Sequence, residues 1–393
     1  MIWAIGITLL SVTIWLFLLS GWGNFWRCDQ QLPALATVRS ELATMVQPAV
    51  TVIIPARDEA DVLPESLPSL LQQQYDGRLT ILLIDDQSTD HTGGVAQAIA
   101  TEAGATERLT VLPGQPLPPG WSGKLWAVEQ GWQQVQQQAN PPEYLLLTDA
   151  DIVHSPEIIA RLVHKAESER LAMVSLMVQL RCQSAWEKIL IPAFVFFFQK
   201  LYPFPWVNNP KRKLAAAAGG CILLRRDALA EIGGIAALRE ALIDDCTLAQ
   251  NVKDLPRPIW LGLSQEEWSI RPYEGLETIW NMVARTAYTQ LDYNPVYLTG
   301  TLLGMAIIYV VPPLSVFGGL WLLNAGLVAL GAAAWSMMAI AYWPTLKLYR
   351  RSPLWGFVLP LIAVLYNLMT FDSAWRHWRG QGGGWKGRVY PQG

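Results

Sequence analysis

Charged side chains are scarce in this sequence. Asp, Glu, Lys and Arg make up 16% of the 393 residues, and hydrophobic residues make up 52%, whereas a soluble domain usually carries about 25% charged residues. The formal net charge is −3, so there is no excess of basic residues for contacting nucleic acid, and we expect no nucleic-acid partner. The deficit of charge predicts that part of the chain lies in a membrane.

Closely spaced cysteines and histidines are also lacking. The four cysteines lie far apart without a CxxC pair, which argues against a zinc site and against a disulfide framework. The four histidines show no metal-ligand spacing such as HExxH. The wide separation of the cysteines fits a reducing, cytoplasmic location for the main domain.

Long hydrophobic runs are present at both ends of the chain. Residues 2–20 carry no charge and are about long enough to span a bilayer. We expect a retained anchor there, because a basic start and a small-residue cleavage site, which mark a signal peptide, are not clear. Residues 297–343 can form two spans with a turn near Asn324. The stretch at 353–371 contains Asn367 and is either a full span or a re-entrant segment.

Basic residues near these stretches predict the orientation. They are Arg27 and Arg39 after the first stretch, and Lys347, Arg350 and Arg351 before the last one. By the positive-inside rule both groups lie in the cytoplasm, which places residues 40–296 there as well. A full span at 353–371 would put the basic tail outside, whereas a re-entrant segment would keep it inside.

The central part of the chain alternates between apolar runs and helix-like stretches. The expected buried strands are Val50–Pro55, Leu79–Ile84, Leu109–Leu112, Tyr144–Thr148 and Met173–Leu180. This alternation predicts an α/β domain with a mostly parallel sheet. A helix is expected from Pro156, with Ser155 as its cap. Ligands bind beyond the carboxyl ends of such strands, and the polar motifs of this chain follow those ends.

Two acidic motifs close the first two expected strands. Pro55, Ala56, Arg57, Asp58 and Glu59 follow one another at the end of the first strand. The run from Asp85 and Asp86 to Asp90 closes the second strand. Acids at a strand end can accept hydrogen bonds from ribose hydroxyls or a base N–H. Capped turns are the alternative interpretation, because Asp, Ser and Thr are also favourable capping residues.

A third motif, Asp149-Ala150-Asp151, follows the strand YLLLT. In extended backbone, residues i and i+2 point to the same side. The two carboxylates can therefore share a divalent cation, Mg or Mn, through oxygen ligands. A nucleotide diphosphate can complete the coordination, and the cation offsets the charge of the leaving group. His154 lies nearby in sequence, either as a further ligand or as a surface histidine.

The remaining polar candidates follow later in the chain or stand alone. Asp244 and Asp245 follow the segment LREALI, where an acid can act as general base or simply start a helix. Gly219 and Gly220 end a run of small residues, which allows either close approach of a substrate or tight packing. Lys124 follows a Pro/Gly-rich loop and is either a phosphate contact or a solvated lysine.

The order of these motifs resembles that of family 2 glycosyltransferases, which have the Rossmann-like GT-A fold. The matching segments are VIIPARDE, LIDDQSTD, GK, LLTDAD, GG and DDCTL, within about residues 48–290. The longer segments look like those of hopene-associated glycosyltransferases and are similar to bacterial ceramide glucosyltransferases. They are VLPGQPLPPGWSGKLWA, LIDDCTLAQ, ARTAYTQLDYNP and GGGWKGRVY.

The resemblance implies roles for matched positions. The residues expected to bind the nucleotide-sugar are Pro55, Ala56, Arg57, Glu59, Asp85 or Asp86, Lys124 and Asp149. Asp149 and Asp151 are expected to bind the metal, and Asp245 is expected to be the catalytic base. Gly219, Gly220 and Asp244 are expected on the acceptor side. The (Q/R)xxRW motif of processive and ceramide-type members is matched only by Arg285, because Met282 and Thr286 depart from it. Arg285 is still expected to face the diphosphate.

The resemblance thus implies an inverting transfer of sugar from a nucleotide-sugar, by family expectation a UDP-sugar, to a lipid-associated acceptor such as a hopanoid or another lipid alcohol. The apolar, aromatic segment 186–206 supports a membrane-side acceptor if it lies on the bilayer, although it is otherwise a buried core helix. A processive polysaccharide synthase and a non-catalytic nucleotide-sugar-binding membrane protein are the alternatives.

The expected organisation is that of a bacterial inner-membrane protein with a cytoplasmic catalytic domain and transmembrane helices at both ends. Its parts are an anchor at 1–22, a GT-A catalytic domain at 48–296, a membrane region at 297–372 and a basic tail at 373–393.

Overall fold

The computed structural model describes residues 1–380 and the backbone of two short strands, Gly384–Trp385 and Arg388–Val389. The rest of the tail, with its Lys386, lies outside the described residues.

An eight-stranded sheet lies at the centre of the domain, in the order β3-β2-β1-β4-β7-β6-β8-β5. Its strands are β1 (Val50–Ala56), β2 (Leu79–Asp85), β3 (Leu109–Pro113), β4 (Tyr144–Thr148), β5 (Ile152–Val153), β6 (Met173–Gln179), β7 (Cys221–Arg225) and β8 (Ile259–Ser269). Strand β1 pairs in parallel with β2 and β4, and β6 pairs in parallel with β8. Helices cover both faces, so every residue of β1 is buried. The expected α/β fold with a mostly parallel sheet is confirmed.

The helices connect these strands and extend beyond them at both ends. They are α1 (Ile2–Ser20), α2 (Leu35–Leu42), α3 (Leu63–Leu71), α4 (Thr92–Glu102), α5 (Gly123–Gln136), α6 (Ile158–Ser168), α7 (Ala185–Leu201), α8 (Phe204–Val207), α9 (Arg226–Glu231), α10 (Asp244–Asp254), α11 (Leu276–Ala284), α12 (Pro295–Met305), α13 (Val311–Trp321), α14 (Ala325–Leu348) and α15 (Leu359–Trp378).

The expected cap of α6 is wrong. The helix begins at Ile158 with Glu157 as its N-cap residue. The hydroxyl of Ser155 instead donates to Glu267 Oε1 at 2.6 Å. Glu267 is almost completely buried, and a buried carboxylate needs hydrogen-bond donors more than a helix end in partial contact with water does.

The strand directions place four strand ends at one edge of the sheet. Strand β7 runs antiparallel to both β4 and β6, so β4, β6 and β8 all point the same way as β1 and β2. The carboxyl ends of β1, β2, β4 and β8, at Ala56, Asp85, Thr148 and Ser269, therefore lie along this edge.

Five helical segments of the described chain are long and apolar enough to cross a membrane. They are Ile2–Ser20, Ala185–Val207, Pro295–Trp321, Ala325–Leu348 and Pro353–Trp378. The turn expected near Asn324 is confirmed, because the Asn324 side chain accepts a hydrogen bond from Leu327 N at 2.9 Å and caps α14. The apolar stretch at 353–371 lies within the last of these segments.

Helix α7 is largely enclosed, in contrast to the expected interfacial segment at 186–206. Its Leu190, Ile191 and Phe196 are fully buried. The hydroxyl of Tyr366 in α15 donates to Leu190 O at 2.9 Å. The Phe196 ring packs edge-on against Tyr342 of α14, with centroids 5.1 Å apart. The buried-helix alternative therefore describes α7 better.

A π-helical turn at Ala306–Val310 separates α12 from α13. Pro312 and Pro313 follow it and lack the N–H groups that would bond to the carbonyl of Ile308 in an α- or π-helical pattern. The indole Nε1 of Trp15 donates to that carbonyl at 2.9 Å. This bond ties α1 to the C-terminal helices.

Candidate active site

The carboxylates of the DxD motif lie just beyond β4, and each contacts a basic side chain. Lys124 Nζ is 2.7 Å from Asp149 Oδ1. Oδ2 of Asp151 accepts hydrogen bonds from Ser269 Oγ at 2.7 Å and from Arg271 Nε at 3.2 Å. All five residues line one cavity of about 560 Å³. The predicted pair therefore shares one cavity.

This donor set fits a hard divalent cation. Each carboxylate uses one oxygen for its hydrogen bonds, so Asp149 Oδ2 and Asp151 Oδ1 accept no hydrogen bond from the described residues. Carboxylate oxygens are the ligands that Mg²⁺ and Mn²⁺ prefer. No cluster of three His, Cys, Asp or Glu residues suited to a metal occurs in the described part of the chain. Further ligands would have to come from a bound molecule or from water.

Burial shapes the charges at this site. It raises the pKa of Asp149, and the nearby charge of Lys124 offsets only part of that rise. Burial acts to lower the pKa of Lys124, but the charges of Asp149, Asp244 and Asp245 outweigh it and raise that pKa. The ammonium group of Lys124 therefore stays charged at neutral pH.

The second acidic pair lies in the first turn of α10. Asp245 Oδ2 accepts a hydrogen bond from Gly219 N at 2.9 Å, and its Oδ1 accepts one from Cys246 N at 2.7 Å. Burial and the neighbouring charge of Asp244 raise the pKa of Asp245 to about 6. Lys124 Nζ is 4.0 Å from Asp244 Oδ2. The structure thus brings the two acidic pairs together around one lysine.

The two glycines before β7 have different surroundings. A Cβ atom on Gly219 would lie 3.4 Å from Lys124 Nζ and 3.6 Å from Asp245 Oδ2. A Cβ atom on Gly220 would lie 3.0 Å from a methyl carbon of Val178 in the core. Gly219 therefore keeps space open beside the charged groups, while Gly220 allows tight packing.

The first two motifs divide into turn-forming and site-facing residues. Asp85 accepts hydrogen bonds from Ser88 N and Gly93 N, both at 3.1 Å, and so holds the turn into α4. Asp86 is fully buried beneath Arg57, whose Nη1 donates to Asp86 O at 2.7 Å and lies 3.6 Å from its Oδ2. Of the two acids, Asp86 is the one beside the predicted nucleotide-contact arginine.

The other predicted nucleotide contacts lie at the end of β1 and at α11. Pro55 and Glu59 line the 560 Å³ cavity, and the carbonyl of Ala56 accepts a hydrogen bond from Asp86 N at 2.8 Å. Arg285 is exposed at the C-terminal end of α11 and also lines that cavity. Its position is compatible with the expected contact to a diphosphate.

A second cavity, of about 690 Å³, extends from the same acids. It shares with the first cavity Lys124, Asp149, Gly219, Gly220, Asp244, Asp245 and Arg285. Its other walls are mostly apolar and come from candidate membrane helices, including Leu18, Phe197, Met305, Ile308 and Tyr366. Asn367 of α15 also lines it and donates to Leu302 O at 3.3 Å. A molecule with an apolar chain can therefore extend from these helices to Asp245.

Two basic residues of the site do not stand out in the sequence. Arg271 follows β8 and bridges Asp151 to Glu59, with its Nη2 2.9 Å from Glu59 Oε1. A basic residue just after a strand is the signal that could have identified it. Lys200 lines the second cavity from α7. It is separated along the chain from every acidic motif, so no sequence pattern connects it to the site.

His154 is not a surface residue. Its exposed fraction is 3%, and its Nε2 lies 3.0 Å from Thr148 Oγ1. Burial lowers the pKa of this imidazole to about 4, so the ring is neutral at physiological pH.

Comparisons with known proteins agree with this geometry. The model of the family described as "Glycosyl transferase family 2" matches residues 51–233. An N-acetylglucosaminyltransferase of Rhizobium leguminosarum bv. viciae is 31% identical over 130 residues, which are 33% of this chain and 28% of that protein. An undecaprenyl-phosphate 4-deoxy-4-formamido-L-arabinose transferase of Pseudomonas syringae pv. syringae (strain B728a) is 30% identical over 141 residues, 35% of this chain and 38% of that protein.

The matches to these two relatives span well under half of each relative's length. Among solved structures, a mannosyltransferase from Pyrobaculum calidifontis in complex with GDP-Man and Mn2+ superimposes with a TM-score of 0.52. The match covers 95% of this chain and 96% of that one at 16% sequence identity, which supports the fold. Residues 51–233 of this chain are therefore similar to a glycosyl transferase family 2 domain, and the chain has a GT-A fold.

Proposed function

We propose that this protein is a membrane-bound inverting glycosyltransferase that moves a sugar from a nucleotide-sugar, by family expectation a UDP-sugar, to a lipid-associated acceptor. One observation carries the proposal. Lys124, Asp149, Asp244 and Asp245 line both the cavity that contains the DxD motif and the apolar cavity between candidate membrane helices. Donor and acceptor can therefore meet at these residues.

On the donor side, Asp149 and Asp151 would hold a divalent cation, Mg or Mn, together with the diphosphate of the nucleotide-sugar. Such a cation, when bound, neutralises negative charge on the departing diphosphate. Lys124 and Arg285 line the same cavity and add positive charge there. Arg271 donates to Asp151 Oδ2 at 3.2 Å and so holds this carboxylate at the wall of the cavity. The similar mannosyltransferase structure, which contains GDP-Man and Mn2+, supports this assignment.

On the acceptor side, Asp245 is the proposed general base. Its carboxylate is fixed by the N–H groups of Gly219 and Cys246. It takes the proton from the acceptor hydroxyl, whose oxygen forms the bond to the anomeric carbon while the bond to the diphosphate breaks. A pKa of about 6 leaves this carboxylate ionised at neutral pH yet basic enough to accept a proton. One displacement inverts the anomeric centre.

The apolar cavity supports a lipid acceptor, with a hopanoid or another lipid alcohol among the candidates. The Pseudomonas relative is named for an undecaprenyl-phosphate substrate, which is also a lipid. The basic residues Arg27 and Arg350 flank candidate spans and favour a cytoplasmic catalytic domain at 48–296, in a bacterial inner membrane. Residues 1–22 and 297–372 then form the membrane parts, with 373–393 as a basic tail.

A nucleotide-release assay on the detergent-purified protein tests the proposal. Nucleotide-sugars are screened with a lipid extract, with and without EDTA. We expect acceptor-dependent nucleotide release that EDTA abolishes. Asp151→Ala should lose the cation-dependent activity. Asp245→Asn should retain donor binding and lose transfer, because an amide cannot accept the proton.

Asp254→Asn is the matched control, because Asp254 is an exposed acid at the opposite end of α10. It should transfer sugar like the wild type. Full transfer by Asp245→Asn would remove Asp245 as the base. A long polymer as product would favour a polysaccharide synthase, and donor binding without transfer to any lipid would favour a non-catalytic protein.

A further inference from the structure

Lys200 places a basic side chain in the apolar cavity. Its Nζ donates to Tyr309 Oη at 3.0 Å and lies 3.5 Å from Met305 Sδ. It lies 4.7 Å from the centroid of the Tyr309 ring and 5.3 Å from that of Phe197. Within residues 1–380, no carboxylate forms an ion pair with it.

An ammonium group in apolar surroundings is costly unless an opposite charge compensates it. The Tyr309 hydroxyl and the two aromatic rings compensate only part of this cost. Ionisable residues in candidate membrane helices commonly mark the path of a charged substrate. An anion bound in the cavity that Lys200 lines would supply that compensating charge.

We propose that Lys200 binds an anionic group of the acceptor, and that this acceptor is a phosphate monoester on an apolar chain. The inference rests on the proposed function and narrows its acceptor. Lysine binds phosphate as a compact point charge. A neutral lipid alcohol such as a hopanoid offers no negative charge to the side chain of Lys200.

The position of Lys200 suits the acceptor rather than the donor. Lys124, Asp149 and Asp245 line both cavities, whereas Lys200 lines only the cavity between the candidate membrane helices. The phosphate would lie between Lys200 and Asp245, with its chain directed toward residues such as Leu18. Lys124 remains available to the diphosphate of the donor.

With such an acceptor, the sugar is transferred in a single displacement at its anomeric carbon. One phosphate oxygen forms the bond to the anomeric carbon, and the bond from that carbon to the nucleotide diphosphate breaks. The bonding electron pair leaves with the nucleoside diphosphate. A proton carried by the phosphate monoanion passes to Asp245. The products are a glycosyl phosphate lipid and a nucleoside diphosphate.

Binding of matched lipids to the purified full-length protein tests the inference. Farnesyl phosphate and farnesol are titrated while tryptophan fluorescence is followed, since Trp22 lines the cavity. We expect the wild type to bind the phosphate at least about tenfold more tightly than the alcohol. Lys200→Met should lose this preference, and Lys200→Arg should keep most of it. Lys188→Met is the control, because Lys188 lies on the same helix but is not among the residues that line the cavity.

Dioleoyl phosphatidic acid, as a third lipid, separates the two sources of a lipid phosphate. Tighter binding of farnesyl phosphate supports a prenyl-type acceptor, and equal binding of both phosphates supports recognition of the phosphate alone. Equal binding of phosphate and alcohol by the wild type would overturn the inference, as would unchanged phosphate binding by a folded Lys200→Met variant. Absence of donor cleavage in the nucleotide-release assay would instead count against the proposed function, whichever lipid binds.

Discussion

Lys124 connects the two halves of the candidate active site at the scale of single residues. It contacts Asp149 of the DxD motif and lies near Asp244 of the second acidic pair. The order of motifs in the sequence predicted Asp149 and Asp151, because acids after successive parallel strands meet at one edge of the sheet, whereas Asp245 was predicted from the family resemblance. Arg271 could not be predicted from the sequence, because its pairing with Asp151 depends on the position of β8 in the sheet.

The charge of Asp244 predicts a specific pH effect. If Asp245 is the base, kcat/KM should be constant above about pH 6 and fall about tenfold per pH unit below it, because protonation inactivates a base. Asp244 contributes to the raised pKa of Asp245. Asp244→Asn removes that repulsion, so the pKa of Asp245 falls and the acidic limb moves to lower pH.

The measurement is the pH profile of kcat/KM for nucleotide release by the wild type and Asp244→Asn. The exposed Asp254→Asn variant should reproduce the wild-type profile. An acidic limb at the same pH in Asp244→Asn would show that the charge of Asp244 does not act on the base.

Among the elements, the strands differ in how well the sequence indicates them. Strands β1 and β4 are continuous apolar runs, and their predicted and observed bounds agree to within one residue. Strand β8 is interrupted by exposed Gln265 and Glu266, so its period is obscured. The apolar sequence of α7 allowed the prediction that this helix lies on the bilayer surface. Only its packing against α14 and α15 shows that it is enclosed.

The π-helical turn makes a prediction about how α1 is held. The carbonyl of Ile308 depends on Trp15 Nε1, because Pro312 and Pro313 cannot donate to it. Trp15→Phe should leave this carbonyl without its donor and lower the free energy of unfolding by about 1–3 kcal/mol. Thermal unfolding in detergent measures the loss.

Trp3→Phe is the control for this prediction, because Trp3 lies in the same helix with an exposed fraction of 85%. It should unfold at the wild-type temperature. If both variants unfold together with the wild type, the hydrogen bond to Ile308 does not stabilise the docking of α1.

On the scale of the whole molecule, the cavity between the candidate membrane helices could not be predicted from the sequence. Leu18 and Tyr366 both line it although they come from opposite ends of the chain. Hydrophobic periodicity identifies each helix separately, but it carries no information on which helices pack together. The contacts of Lys200 arise in the same way, from the packing of α7 against the π-helical turn.

The orientation of the protein in the membrane is also predicted at the scale of the whole molecule. Asn324 Nδ2 lies 3.2 Å from Met1 Sδ, so the N-terminus and the turn before α14 lie at the same end of the helices. If residues 40–296 are cytoplasmic, this end faces the opposite side. In intact cells, an impermeant maleimide should label Leu323→Cys, which replaces a side chain exposed to 93%, and should spare Asp254→Cys.

Labelling of the unchanged protein gives the background from its four native cysteines. Disrupted cells should label both variants and so show that each introduced thiol is reactive. Labelling of Asp254→Cys in intact cells would reverse the orientation.

The apolar cavity between the helices has a kinetic consequence for the proposed enzyme. An acceptor that arrives through it diffuses in two dimensions, within the bilayer, while the nucleotide-sugar arrives from water in three. Saturation by the acceptor would then depend on its mole fraction among the lipids, and diluting it with inert lipid would slow the reaction even when the amount per volume is unchanged.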